Sequence, residues 1–274
     1  MTRYLNKIII PEKSELLAEE CGIHFGDGYM KIRKDGWGVH YDYTISSDIE
    51  EDSTYTKYVE NLIKILYGLN ASYKTVRNKR DFHLLYSSKE LINFKLKIGI
   101  PLSPKENLII PKWIKEEKTF CLAFLRGLYD TDGCLMFKLK STKSKLHSYP
   151  CIYLSLKDKT LINEVALLLD KYKFTFSIYK HYKIASNGTK TLTWDLNMSG
   201  TKNLENFMKN IGFNNRKHLT KYLIWRNFGF CPKRTSLNER EAILLGKLNP
   251  LYLECLGGDL NSQSLPYESR VLPG

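Results

Sequence analysis

Two aspartates in this 274-residue sequence, Asp27 and Asp132, stand in surroundings that give a carboxylate chemistry to do. Each is followed by glycine, and each closes a helical stretch with small residues four apart: Gly22 and Gly26 in the first, Gly127 and Thr131 in the second. Glycine in a helix interior costs roughly 1 kcal/mol relative to alanine, so two in one short helix need a compensating gain. Small residues at i and i+4 flatten one helix face and let another backbone approach. Both segments carry this stripe, which predicts that the two helices pack on each other. Gly28 and Gly133 then suit the left-handed conformation that stops helices. The aspartates lie against the negative end of the helix dipole, a placement unfavourable by roughly 0.3–1 kcal/mol. If the helices run side by side in parallel, two carboxylates meet at one end and repel unless a cation sits between them. A divalent metal answers that need, with magnesium or manganese expected, because such ions take a few carboxylates, water and phosphate oxygens. The dipeptide alone is weak evidence. Asp35-Gly36 has the same composition and reads as a hairpin turn.

The positioning elements repeat. Residues 87–100 align with 199–213, pairing Leu91 with Leu204, Asn93 with Asn206, Phe94 with Phe207, and Ile98-Gly99 with Ile211-Gly212. Residues 20–28 align likewise with 125–133, and the lysine-rich stretch 138–147 is a natural place for the extra residues of the second copy. Hydrophobic periodicity and turn signals predict in the first copy a helix from Ser14 to Asp27 and strands 29–33 and 39–45. A helix 53–67, strands near 72–77 and 81–86, and a helix 88–98 follow. The second copy reads as helix 117–132, strands 134–140 and 150–156, helix 158–172, strands 173–183 and 190–198, then helices 200–211 and 216–227. The fold class is therefore α+β, with α-β-β-α-β-β-α used twice. The predicted organisation is a half-domain over 1–100, a linker over 101–115 broken by Pro101, Pro104 and Pro111, and a second half-domain over 116–235. In the C-terminal extension over 236–274, residues 239–248 could form one more helix, and the extension is expected to be mobile toward its Gly-, Ser- and Pro-rich end, which has no periodicity.

The segments 20–28 and 125–133 resemble the paired motifs of the LAGLIDADG homing endonucleases, in the single-chain form with two motifs. The resemblance spans about residues 10–230 and is closer in the second motif. It implies two half-domains joined through their motif helices, with antiparallel sheets forming a DNA-binding saddle. It also implies a metal-dependent, site-specific double-strand DNA endonuclease in which Asp27 and Asp132 bind the ions and are catalytic. The carbonyls of Gly26 and Thr131 are implied as supplementary metal ligands. The first motif departs from the family pattern. Phe25 stands where an acid is usual, whereas the second motif keeps Asp130, and His24 occupies an apolar position and reads as a packed residue. The family further implies a basic residue near each site, with Arg77, Lys79 and Lys183 as candidates. Some relatives act as intron-encoded RNA maturases, and a non-catalytic DNA-binding protein of the same fold is a third reading.

Composition agrees with a polyanionic partner. The formal net charge is +13 and the pI about 9.3, and acids outnumber bases beyond residue 235, so the positive charge belongs to the folded body. The six cysteines form no CxxC pair and no cluster with histidine, which excludes a structural zinc site and points to a reducing compartment. With no apolar run of membrane-spanning length and no charged-then-apolar leader, a cytoplasmic monomer without membrane partners is expected. Strand alternation supplies the face toward double-stranded DNA: Tyr29, Lys31 and Arg33 in the first copy, and Met136, Lys138 and Lys140 in the second. Tyr179, His181 and Lys183 extend it, as do Thr191, Thr193, Asp195 and Asn197. Mixing cations with short hydrogen-bonding groups suits base reading in the major groove. Lys143, Lys145 and His147 in the hairpin would add phosphate contacts, and intron RNA could be bound by the same basic faces.

Overall fold

A computed structural model describes residues 7–75, 81–142, 145–184 and 188–257, with the backbone alone for 139–142, 145–147 and 254–257. The first copy runs α1 (Glu15–Asp27), β1 (Gly28–Asp35), β2 (Gly38–Asp48), α2 (Ser53–Tyr67), β3 (Ser72–Thr75), β4 (Asp81–Ser87) and α3 (Lys89–Lys97). A short helix, α4 (Lys112–Glu116), lies in the predicted linker. The second copy runs α5 (Lys118–Thr131), β5 (Gly133–Thr142), β6 (Lys145–Leu156), α6 (Lys159–Lys171), β7 (Ser177–Ile184), β8 (Lys190–Ser199), α7 (Thr201–Asn210) and α8 (Arg216–Phe228). Both copies form antiparallel four-stranded sheets of equivalent order, β1-β2-β4-β3 and β5-β6-β8-β7.

The helix packing follows from the glycines. A Cβ on Gly22 would lie 2.1 Å from the Phe124 carbonyl oxygen, and one on Gly127 would lie 2.2 Å from that of Glu19. A Cβ on Gly26 would lie 2.0 Å from Thr131 Oγ1. Because Gly22 meets Phe124 while Gly26 meets Thr131, α1 and α5 ascend together and are parallel. Their backbones touch where any side chain would hold them apart. Residues 17–25 of α1 are buried without a break, so this helix lies inside the molecule instead of lying on it.

Burial on all sides forces the acids of α1 to find partners, since an unpaired buried charge costs several kcal/mol. Glu20 accepts from Lys95 Nζ of α3 at 2.5 and 2.7 Å, from Tyr43 Oη at 2.6 Å and from Tyr67 Oη at 3.0 Å. Glu19 reaches across the two copies to Arg126 of α5 at 2.7 Å, and also accepts from Tyr58 and Asn214. Asp130, kept in the second motif, is fully buried and accepts from the backbone N–H groups of Asn214 and Asn215 at 2.9 and 3.0 Å.

Several local expectations need correction. Gly28 is extended, with φ −76° and ψ 143°, so it does not end α1 in the left-handed region. Its Cβ would fall 2.6 Å from the Cα of His24, and that of Gly133 would fall 2.3 Å from the Tyr129 carbonyl oxygen. Glycine is required for close approach at an abrupt helix-to-strand junction. Strand β7 begins at Ser177, not at 173, because Lys173 takes φ +62° after α6 while Phe174 N–H closes on the Leu169 carbonyl. Beyond residue 235 a helix stands where one is expected over 239–248: Ser236 caps α9 (Leu237–Leu244) with a reciprocal Glu239 bond, and α10 (Pro250–Gly257) follows. Leu237, Arg240 and Ile243 of α9 are buried. Residues 258–274 lie outside the described residues. Among the described residues no helix is long and apolar enough to cross a membrane.

Candidate nuclease site

The C-terminal ends of α1 and α5 form one site because the helices are parallel and equally long past their contact. Asp27 and Asp132 are both half-buried there, and a Cβ added to Gly26 would lie 3.4 Å from Asp132 Oδ2. Burial and the neighbouring charge of Asp132 push the Asp27 carboxyl up to about 7. The Asp132 carboxyl is raised as well, by burial, against the pull of Lys105, Lys217 and Lys183. Asp27, Asp52, Tyr55 and Thr131 share the wall of a cavity of about 10 Å³.

Two lysines that the sequence reading passed over complete the site. Lys105, in the connection between copies, donates to the carbonyls of His24, Phe25 and Gly26 at 2.8, 2.9 and 2.6 Å. These carbonyls belong to the last turn of α1, where that of His24 also accepts from the Gly28 N–H, so the ammonium offsets the negative helix end that faces Asp27. Burial lowers Lys105 to about 8, opposed by the charges of Asp132 and Asp27. Lys217, near the start of α8, lies 3.1 Å from Asp52 Oδ1, and its charge pulls down both Asp27 and Asp132. A signal for both lysines was present: each follows shortly after its copy's matched Ile-Gly pair, Ile98-Gly99 and Ile211-Gly212. Nothing in the periodicity marks Asp52.

The oxygen donors are hard ligands of the kind magnesium or manganese takes. Two carboxylates and a carbonyl fit a cation that completes its shell with water and phosphate oxygens. Among the described residues no group of three or more His, Cys, Asp or Glu side chains is arranged to hold a metal ion. The Gly26 carbonyl is engaged by Lys105, and the Thr131 hydroxyl donates back to Gly127 and Leu128 within its own helix.

Two comparisons identify the frame. Residues 119–212 match the family model described as a LAGLIDADG-like domain. The structure of a point mutant of I-SmaMI aligns with a TM-score of 0.52 over 90% of this chain and 98% of that one, at 13% identity. The chain carries a LAGLIDADG-like domain and has the LAGLIDADG fold. It has the fold in its single-chain form, with α1 and α5 as the two motif helices and the two sheets as the paired half-domains. The structure of I-DmoI in complex with DNA and Mn aligns at a TM-score of 0.48 and 19% identity, covering 72% of this chain and 96% of that chain. The replication factor C small subunit of Methanocaldococcus jannaschii is 26% identical over 218 residues, which is 77% of this chain. The chain spans about a tenth of that relative's length.

Within the LAGLIDADG frame the strand faces resolve unevenly. On β1, Tyr29, Lys31 and Arg33 are exposed, and Arg33 is ion-paired with Asp42 at 3.0 Å and Asp35 at 3.4 Å. On β5, Met136 and Lys138 are exposed while Leu135 and Phe137 are buried, as alternation predicts. Strand β7 does not alternate. It is exposed along nearly its whole length, Ile178 and Tyr179 together, with His181 and Lys183 beyond them. Thr193 is only 3% exposed and sits against His181, so it is not part of an open face. Asp195 accepts from Ser155 at 2.6 Å and faces His181 Nδ1 at 2.9 Å, while Asn197 donates to Ser199 at 2.8 Å and Thr191 is half-buried. Arg77, Lys79 and Lys143 lie outside the described residues, as do the side chains of Lys140, Lys145 and His147. Lys183 alone of the three basic candidates is placed, with its charge in reach of Asp132. His24 is buried 5.4 Å from the Tyr43 ring, as a packed residue should be.

Proposed function

We propose that this chain is a site-specific double-strand DNA endonuclease that hydrolyses phosphodiester bonds with magnesium or manganese, acting as a monomer. The observation that carries the reading is the pairing of Asp27 and Asp132 at the shared end of α1 and α5, with Lys105 and Lys217 beside them. Burial and the charge of Asp132 both push the Asp27 carboxyl up, and a cation brought in with a phosphate would relieve the repulsion between the two acids. Asp27 and Asp132 would hold the ion, and the Gly26 carbonyl could join once the Lys105 ammonium turned toward the phosphate. A bound divalent ion polarises the phosphoryl oxygen and acidifies water. The chain's own contribution is then charge and geometry. Lys105 and Lys217 place ammonium groups where negative charge builds up on the phosphoryl oxygens, inside a partly desolvated site where such charges act strongly. Lys31, Arg33, Lys138 and Lys183 supply backbone contacts, and Tyr29, Met136 and Tyr179 lie exposed for base edges and thymine methyls.

The test is digestion of a randomised duplex library with magnesium, comparing the chain with its Asp27→Asn/Asp132→Asn variant. The expected result is a staggered cut at one enriched sequence by the unaltered chain, with the variant bound to the same sequence and the DNA intact. Equal cutting by the variant would refute the assignment.

A further inference from the structure

The residue ahead of the second helix of each copy is an aspartate, Asp52 before α2 and Asp158 before α6, and the two are used differently. Asp158 caps its helix, accepting from Leu161 N–H at 2.8 Å, while its other oxygen accepts from Leu108 N–H at 3.1 Å. Asp52 makes no side-chain cap. The residue is 8% exposed, and its carboxylate turns across the boundary between the copies, where Oδ1 accepts from Asn215 Nδ2 at 2.7 Å and lies 3.1 Å from Lys217 Nζ.

That geometry is braced on both sides. Asn215 is 1% exposed, donates from Nδ2 to the Asp130 carbonyl at 3.0 Å, and caps α8 by accepting from Lys217 N–H at 3.0 Å. The backbone bearing Lys217 and the acid facing its ammonium are thus fixed by one asparagine. On the other side, Glu51 accepts from Leu237 N–H at 3.0 Å and pairs with Arg240 Nη2 at 2.6 Å, so α9 grips the turn that carries Asp52. Forgoing a helix cap costs stability, and a lysine side chain loses rotamer entropy on being fixed. The first copy gives up the cap that the second keeps, and the carboxylate goes to Lys217. Among the described residues Lys105 is held by backbone carbonyls and forms no ion pair with a carboxylate.

We propose that Asp52 is a positioning residue that, together with Asn215, holds the Lys217 ammonium beside Asp27 and Asp132, a role present in one copy and absent from the other. As a role in cleavage this rests on the nuclease reading above. The placement of Lys217 can be measured without cleavage. In the full-length protein free of DNA and metal, lysine acylation mapped by mass spectrometry should proceed about threefold or more faster at Lys217 in Asp52→Asn. Lys105 should keep its rate, and Asp52→Glu should restore protection of Lys217. In strand-resolved single-turnover cleavage, Asp52→Asn should lose about tenfold in rate, more on one strand than the other, with target affinity retained. In a Lys217→Met background the same change should cost nothing further. Unchanged acylation at Lys217, equal acceleration at Lys105, or rate losses that multiply in the double variant would overturn the proposal. If the unaltered protein cut no duplex while acylation behaved as stated, the nuclease reading would fall and the positioning of Lys217 would stand.

Discussion

Replacing Asp27 by asparagine should stabilise the metal-free protein while abolishing cutting. An ordinary aspartate carboxyl ionises at 3.8, whereas Asp27 is pushed up to about 7 by burial and by Asp132. The sign follows from linkage. A carboxyl raised in the folded state keeps its proton there after the unfolded chain has lost it, so stability falls as pH rises from 3.8 to about 7 and the loss is complete above that. Each pH unit of that gap corresponds to about 1.4 kcal/mol, giving roughly 4 kcal/mol at pH 8.5. Solvent entry and relaxation at a half-buried group reduce this to about 2 kcal/mol. At pH 5 the folded carboxyl is already protonated, and the same bookkeeping leaves less than about 1 kcal/mol. Urea unfolding in EDTA should therefore show Asp27→Asn more stable by about 2 kcal/mol at pH 8.5, with the gain shrinking as pH falls to 5. Magnesium should stabilise the unaltered chain at pH 8.5 and leave the variant unmoved. A variant no more stable than the parent at pH 8.5, or a gain independent of pH, would refute the electrostatic account of the paired acids.

Three further perturbations follow from the same geometry. Gly22→Ala sets a methyl 2.1 Å from the Phe124 carbonyl oxygen, and since backbone cannot step aside the paired helices must separate. Chemical denaturation should show a loss of about 2–3 kcal/mol or more. Lys95→Met leaves Glu20 buried with two tyrosine hydroxyls and no cation, which should cost about 3–5 kcal/mol in the same assay. Lys105→Met removes the ammonium from the α1 carbonyls and the site. Target affinity by gel shift in calcium should be kept while the cleavage rate falls about a hundredfold, and a change in affinity alone would count against its place in the chemistry.

The strand faces show where sequence reasoning weakens. Alternation holds on β5, which has a core on one side, and fails on β7, the opposite edge of the same sheet, which is exposed on both faces. Thr193, Asp195 and His181 have the composition of a base-reading surface, yet the fold ties them to one another and to Ser155. A hydroxyl or imidazole looks the same in sequence whether its partner is a base edge or a neighbouring strand. The pairing register alone, His181 opposite Thr193 and Tyr179 opposite Asp195, decides which applies.

The sequence by itself determined the doubled architecture, the contact of two glycine-notched helices and the two acids at their ends, while the structure decided that the helices run parallel. The first three are written in local terms: side-chain volume, period and repeat. Tertiary structure alone decided the rest of the site. Lys105 belongs to a connecting segment and Lys217 to the eighth helix, and both reach Asp27 and Asp132 only because the chain returns twice to the same helix ends. Asp52 and Asp158 hold the same place in their copies, and only the neighbour that each meets, Lys217 or the backbone at Leu108, gives them different work. Charge placement in space is a sum over distant residues, and no window along the chain contains it.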